Sequence, residues 1–190
     1  MLRVIAGSAK GRRLGTLQTL ALRPTADRVR EALFNILGVQ IEGAAILDLF
    51  AGSGAVGLEA LSRGARLATF VEFHEPACRV IKNNLRLCGL HAQATVWCDD
   101  VLNVLPTLKK QEQTFDVIFL DPPYRAALVE DALQQLGDGR LLNTDGQVTA
   151  EHFYKRELAE RCGRLRRVRV ARFGDVALSF YRIENQEGGV

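Results

Sequence analysis

ILDLFAGSGAVGLEALSRG, residues 46–64, joins an apolar run to a glycine-rich turn and then to a helical pattern. The run AILDLF at 45–50 reads as a strand, the pattern at about 55–63 as a helix, and Gly52, Gly54 and Gly57 spell GxGxxG between them. Glu72 closes the next apolar run, 67–72, 20 residues beyond Gly52. Glycines at such a turn let the backbone approach a ligand, and an acid at that distance can take ribose hydroxyls. Working outward, strand patterns at 94–98 and 115–120 alternate with helical patterns at about 75–87, 101–109 and 127–136. Strands alternating with helices imply right-handed βαβ units and a parallel sheet covered on both faces. Near the end, 165–173 and 176–183 alternate polar and apolar around Gly174-Asp175, an antiparallel hairpin.

Taken alone, the glycine motif suggests NAD. Asp48 argues otherwise, because a carboxylate at the end of the first strand would face a pyrophosphate at short range. It suits a ligand with an ammonium and a sulfonium and no phosphate, which describes S-adenosylmethionine. Asp48 would attract the methionine end, the Gly52 and Gly54 backbone would lie against it, and Glu72 would take the ribose. Asp99 or Asp100, after the third strand, could reach the adenine amine; capping of the following helix explains that pair equally well.

The fourth strand ends in FLDPPY, residues 119–124. Two prolines stop the ladder and stiffen the loop, leaving Asp121 and Tyr124 at the sheet edge. Open α/β sheets bind ligands at the carboxyl ends of their strands, so this loop shares an edge with the glycine turn. The lone pair of an exocyclic base amine is delocalised into the ring. Acceptance of its N–H bonds by Asp121 and the Pro122 carbonyl would return density to nitrogen, while Tyr124 stacks on the base for about 1–3 kcal/mol. A base inside a helix must first be unpaired or flipped, which RNA loops allow at low cost.

The 190 residues suit one domain with a small appendage. No apolar run approaches a membrane span, and the basic N-terminus lacks the apolar core of a signal peptide, so a cytoplasmic protein is expected. Cys78, Cys88, Cys98 and Cys162 show neither CxxC nor Cys/His spacing and are read as free thiols; no metal site is expected. The net charge is only +3, yet residues 1–30 hold seven cations, Arg3, Lys10, Arg12, Arg13, Arg23, Arg28 and Arg30, against Asp27 alone. Interleaved with glycine, they suit a polyanion. A second basic cluster, Arg161 to Arg172, reads equally well as a solvated face. Segments 2–6 and 12–17 form a short hairpin pattern, followed by a helix that starts near Pro24 with Thr25 as candidate cap. The expected division is a hairpin-helix extension over 1–40 and a main domain over 41–185. A monomer is the default, for want of a spare apolar stripe.

RVIAGSAKGRRL, LRPTADRVREALFNIL, LDLFAGSGAVGLEALSRGA and FLDPPY stand in the order found in the RsmD family, bacterial methyltransferases of small-subunit rRNA, which the chain resembles over most of residues 2–125. The resemblance implies a class I Rossmann-like methyltransferase with a mostly parallel seven-stranded sheet, acting with S-adenosylmethionine on guanine N2 of one 16S rRNA nucleotide in the small subunit or its precursor. By matching position it implies Asp48, Phe50, Gly52, Gly54, Glu72 and Asp100 at the cofactor and Asp121, Pro122 and Tyr124 at the base. Arg3, Lys10, Arg12, Arg13, Arg23, Thr25, Arg28 and Arg30 would hold RNA. Ala26 departs from a frequent threonine, and Glu151 and Phe173-Gly174 look family-like without a transferable role. Rival readings are an amino-methyltransferase for adenine N6 or a protein glutamine, an NAD-dependent oxidoreductase, and a non-catalytic RNA-binding assembly factor.

Overall fold

The structure, a computed structural model, describes residues 2–17, 25–122 and 127–184. Its elements run α1 (Thr25–Leu37), β1 (Ala45–Leu49), α2 (Ala55–Ser62), β2 (Leu67–Val71), α3 (Glu75–Cys88), β3 (Ala94–Trp97), α4 (Val101–Lys110), β4 (Phe115–Leu120), α5 (Ala127–Leu136), β5 (Leu142–Phe153), β6 (Arg161–Cys162), β7 (Leu165–Phe173) and β8 (Val176–Ile183). The strands form one sheet in the order β3-β2-β1-β4-β5-β8-β7-β6. β1 to β5 are mutually parallel, whereas β5, β8, β7 and β6 pair antiparallel. The sheet therefore has eight strands rather than the expected seven, because Arg161 and Cys162 add a two-residue edge to β7.

Side chains alternate across the central strands and feed two cores. Ile46, Phe70, Val117 and Phe119 pack with Leu33 of α1, Leu58 of α2 and Ile81 of α3 on one face. Leu47, Leu49, Ile118 and Leu120 pack with Leu105 of α4 and Leu133 of α5 on the other. Helix ends follow local chemistry. α3 opens with a proline in its first turn and stops at Gly89, whose φ of 71° lies in the left-handed region. Asp100 caps α4 by accepting the Leu102 N–H at 2.7 Å. Among the described residues, no helix is long and apolar enough to cross a membrane.

The N-terminal hairpin is reduced to a single bridge, Arg3 with Arg13, flanked by turn hydrogen bonds such as Val4 N–H to the Arg12 carbonyl at 3.0 Å. What holds it is α2. The buried Glu59 carboxylate accepts the N–H groups of Ile5 and Ala6 at 2.7 and 2.9 Å. Ser62 Oγ donates to the Ala6 carbonyl and accepts the Ala9 N–H. Gly7 is obligatory at this contact, since a Cβ there would fall 1.7 Å from the Ser62 carbonyl oxygen and φ is 83°. Leu2, Val4, Ala9 and Leu14 accordingly join the same apolar core as β1 and β2.

Candidate active site

The strand order reverses between β1 and β4, and the chain leaves both strands at the same edge. Such a switch point opens a crevice at the carboxyl ends of the strands. Asp48 stands on β1 opposite Phe119 and Phe70, so its side chain is on the face that carries α1, α2 and α3. It is only 2% exposed and accepts the Gly57 N–H at 2.9 Å. Burial pushes its pKa up to about 8; the Gly57 hydrogen bond opposes that rise, and the charges of Asp121 and Glu72 add to it. Asp48 thus feels two further carboxylates beside the glycine turn, an arrangement that favours a cation over a pyrophosphate there.

Phe50 adopts φ of 62°, unusual for a side chain of that bulk and a form of strain concentrated at functional turns. Gly52 and Gly54 continue the turn with φ of 56° and 78°; a Cβ on Gly52 would meet nothing within 4 Å, so open space lies on that side of it, whereas Gly54 is buried against Ile81 and Phe70. Gly57 serves packing instead: a Cβ there would come 2.3 Å from the Phe70 ring, so α2 lies directly on β2. Glu72, 7% exposed, accepts the Gly52 N–H at 2.8 Å and the His74 N–H at 2.9 Å, which fixes the carboxylate beside the turn. An ionised carboxylate offers about four lone-pair positions, so acceptor capacity remains for a ligand's hydroxyls.

Asp99 and Asp100 are both exposed, and both take part in the start of α4. Asp99 accepts the Asp100 N–H at 2.7 Å and an Asn103 amide N–H at 3.1 Å, so the capping role is realised at this edge. Directly before them, Cys98 is joined to Cys78 of α3 in a disulfide with a Cα separation of 6.0 Å. This corrects the reading of both as free thiols; Cys88 and Cys162 are free. The β2–β3 register, Val71 against Trp97, brings the residues that follow the two strands side by side, although 20 positions separate the cysteines in sequence.

On the β4 side, the Asp121 N–H reaches the Leu49 carbonyl at 3.4 Å, extending the β1–β4 pairing one residue beyond the strand. Asp121 is exposed at the crevice and Pro122 half-buried. Tyr124, Arg23 and the side chain of Thr25 lie outside the described residues. Arg3, Lys10 and Arg28 line one cavity of about 250 Å³ together with Asp27 and Glu31, and Arg12 and Arg13 are exposed beside it in sequence. Arg30 departs from this group. It is 4% exposed, donates to the Arg3 carbonyl at 2.6 Å and to Asp27 at 3.1 Å, and lies 3.9 Å from Glu59. Its guanidinium braces the extension internally, so the expectation that it holds RNA is corrected; burial lowers its pKa. At the other basic cluster, Arg161 and Arg166 pair with Glu184, and Arg172 stacks over Tyr154 at 3.5 Å.

Asn84 was not singled out by its residue type. On α3, 1% exposed, it accepts the Gly15 N–H at 2.7 Å and donates to the carbonyls of Gly15 and Ser53, each at 3.0 Å. One side chain thereby ties the N-terminal extension to the glycine turn. The available signal was a polar residue on an apolar stripe, between Ile81 and Leu85.

A family model described as Conserved hypothetical protein 95 matches residues 2–182. YlbH of Bacillus subtilis, described as a putative rRNA methyltransferase, is 39% identical over 181 residues, covering 95% of this chain and 98% of that protein. Ribosomal RNA small subunit methyltransferase D of Haemophilus influenzae is 41% identical over 150 residues, covering 78% and 77%. Among solved structures, hypothetical protein TTHA0928 of Thermus thermophilus superposes with a TM-score of 0.82 at 32% identity, covering 96% of this chain and 100% of that one.

Proposed function

Because the chain belongs to the Conserved hypothetical protein 95 family, the RsmD family, we propose that it methylates the RNA of the small ribosomal subunit with S-adenosylmethionine. The acceptor is the exocyclic N2 amine of a guanine. The observation that carries the reading is the gathering of Asp48, Glu72 and Asp121 around a glycine turn, open at Gly52, at the strand switch point. The donor set fits the cofactor: an acid held partly neutral by burial and by two neighbouring carboxylates gains most from a ligand cation. When bound, S-adenosylmethionine supplies a methyl group on a cationic sulfur.

The chain's own residues supply positioning and electrostatics. Asp48, ionised opposite the ligand's cation, orients the methionine end. Glu72, already fixed by two backbone N–H groups, would accept from ribose hydroxyls, and Asp100 at the α4 start would hold the adenine end. Asp121 and the Pro122 carbonyl would accept hydrogen bonds from the base amine, return electron density to its nitrogen, and stabilise the positive charge that grows there. Tyr124 would stack on the base. Arg3, Lys10, Arg12, Arg13 and Arg28 hold phosphates, contacts that set register without reading sequence, and Arg23 and Thr25 are assigned to the same task.

Calorimetry separates this reading from the oxidoreductase one. Micromolar binding of S-adenosylmethionine with none of NAD is expected; the reverse would overturn the assignment of Asp48. Transfer to adenine N6 or to protein would keep the loop chemistry and overturn the base.

A further inference from the structure

β5 brings a further acid to the same edge. The β4–β5 pairing sets Leu120 against Ala150, so Asp121 and Glu151 are the next residues on neighbouring parallel strands, whose backbones run about 4.8 Å apart. Across the other side of β5, Glu151 pairs with Leu178, and Leu178 lies in the core that contains Phe119. Phe119 in turn pairs with Asp48 and precedes Asp121 by two positions. Strict alternation therefore puts Asp48, Asp121 and Glu151 on one face of the sheet, in consecutive order across β1, β4 and β5. His152 takes the opposite face and is bound to Ser179 at 2.8 Å, so it does not compete for this place. Glu151 is half-buried and Asp121 exposed, and both are engaged within the fold. A carboxylate with several lone-pair positions can hold one internal partner and still accept from a ligand.

We propose that Glu151 accepts the N1–H of the target guanine, beside Asp121 on the N2 amine, and so makes the site select guanine over adenine. The inference rests on the guanine-N2 reading above. Guanine presents two adjacent kinds of donor on its Watson–Crick edge, N1–H and N2–H, and two carboxylates on neighbouring strands match them. Adenine presents a lone pair at N1. An acceptor-only side chain facing it leaves two acceptors opposed and neither satisfied, which is how a polar site rejects the wrong base. The same hydrogen bond places negative charge beside N1–H and raises electron density in the ring, which favours attack by N2.

The test uses small subunits reconstituted with rRNA carrying guanine or 2-aminopurine at the position mapped for the wild-type product. 2-Aminopurine keeps the exocyclic amine and replaces N1–H with a lone pair. Wild-type kcat/KM is expected to fall about 10²-fold on 2-aminopurine, in line with roughly 1–3 kcal/mol for one base-edge contact. In Glu151→Ala the ratio between the two bases should shrink to about threefold or less. In Glu151→Gln, whose amide can turn its N–H toward the lone pair, 2-aminopurine should be methylated about tenfold faster than by wild type. That gain would not follow from a purely structural role, which slows both bases alike. An unchanged ratio in both variants, or no discrimination by the wild type, would overturn the proposal. Wild-type label in a base other than guanine would overturn the underlying reading instead, and is seen before any variant is made.

Discussion

Replacing Asn84 with leucine tests whether the N-terminal extension and the glycine turn are held by one side chain. Leucine keeps the branching at Cγ and the number of side-chain heavy atoms, so the change removes polarity without opening a cavity. Three backbone groups lose their partner: Gly15 N–H, bound at 2.7 Å, and the Gly15 and Ser53 carbonyls, bound at 3.0 Å. A buried group left unsatisfied costs about 1–3 kcal/mol. Gly15 is exposed and can turn partly to water, whereas Ser53 is half-buried, so the sum is about 2–4 kcal/mol. For a chain of this length, each kcal/mol shifts the melting temperature by about 2–4 °C. Thermal unfolding should therefore drop by about 4–16 °C. Calorimetric affinity for S-adenosylmethionine should weaken about three- to tenfold, because the Ser53 peptide loses its anchor. A drop below about 2 °C with unchanged affinity would refute the reasoning.

Asp48 links cofactor binding to pH. Its pKa in the folded, cofactor-free protein is raised to about 8, so the folded state holds a proton that the unfolded chain releases near pH 4. Its contribution to stability is then fully present below about pH 4 and lost as pH rises to about 8. Ligand cations favour the ionised form, so S-adenosylmethionine affinity should increase with pH over the same window and level off above about 8, and Asp48→Asn should flatten both profiles. Asp121→Ala should lower methyl transfer by about 10²- to 10³-fold while the cofactor Kd stays within about threefold, as expected for a group that acts on charge developing at the base. Arg12→Ala with Arg13→Ala should reduce the salt slope of subunit binding by about 1.4, two charges against a single strand; an unchanged slope would return both side chains to solvent.

The central strands were legible because short apolar runs end at a glycine or an acid, and β1 to β4 fall within about one residue of their sequence bounds. β5 was not legible. Asp145-Gly146 reads as a turn, and the β4–β5 register shifts between Phe115 and Val117 to accommodate that irregularity inside one long strand. The glycine turn with Asp48 and Glu72 was legible because each residue is close in sequence to the strand end it terminates. Arg30 was misplaced since charge alone does not say which way a side chain turns. Its neighbours Val29, Leu33 and Leu37 mark the buried face of α1, and Arg30 shares that face. The Cys78–Cys98 link and the Asp121–Glu151 neighbourhood depend on which strands lie side by side, information that spacing along the chain does not hold.

The most direct measurement is methyl transfer from labelled S-adenosylmethionine to small subunits purified from cells lacking this protein, followed by nucleoside analysis of the rRNA. The account predicts label in N2-methylguanosine at a single position, dependent on Asp121. Label in N6-methyladenosine, or binding of the cofactor with no label in RNA, would contradict it.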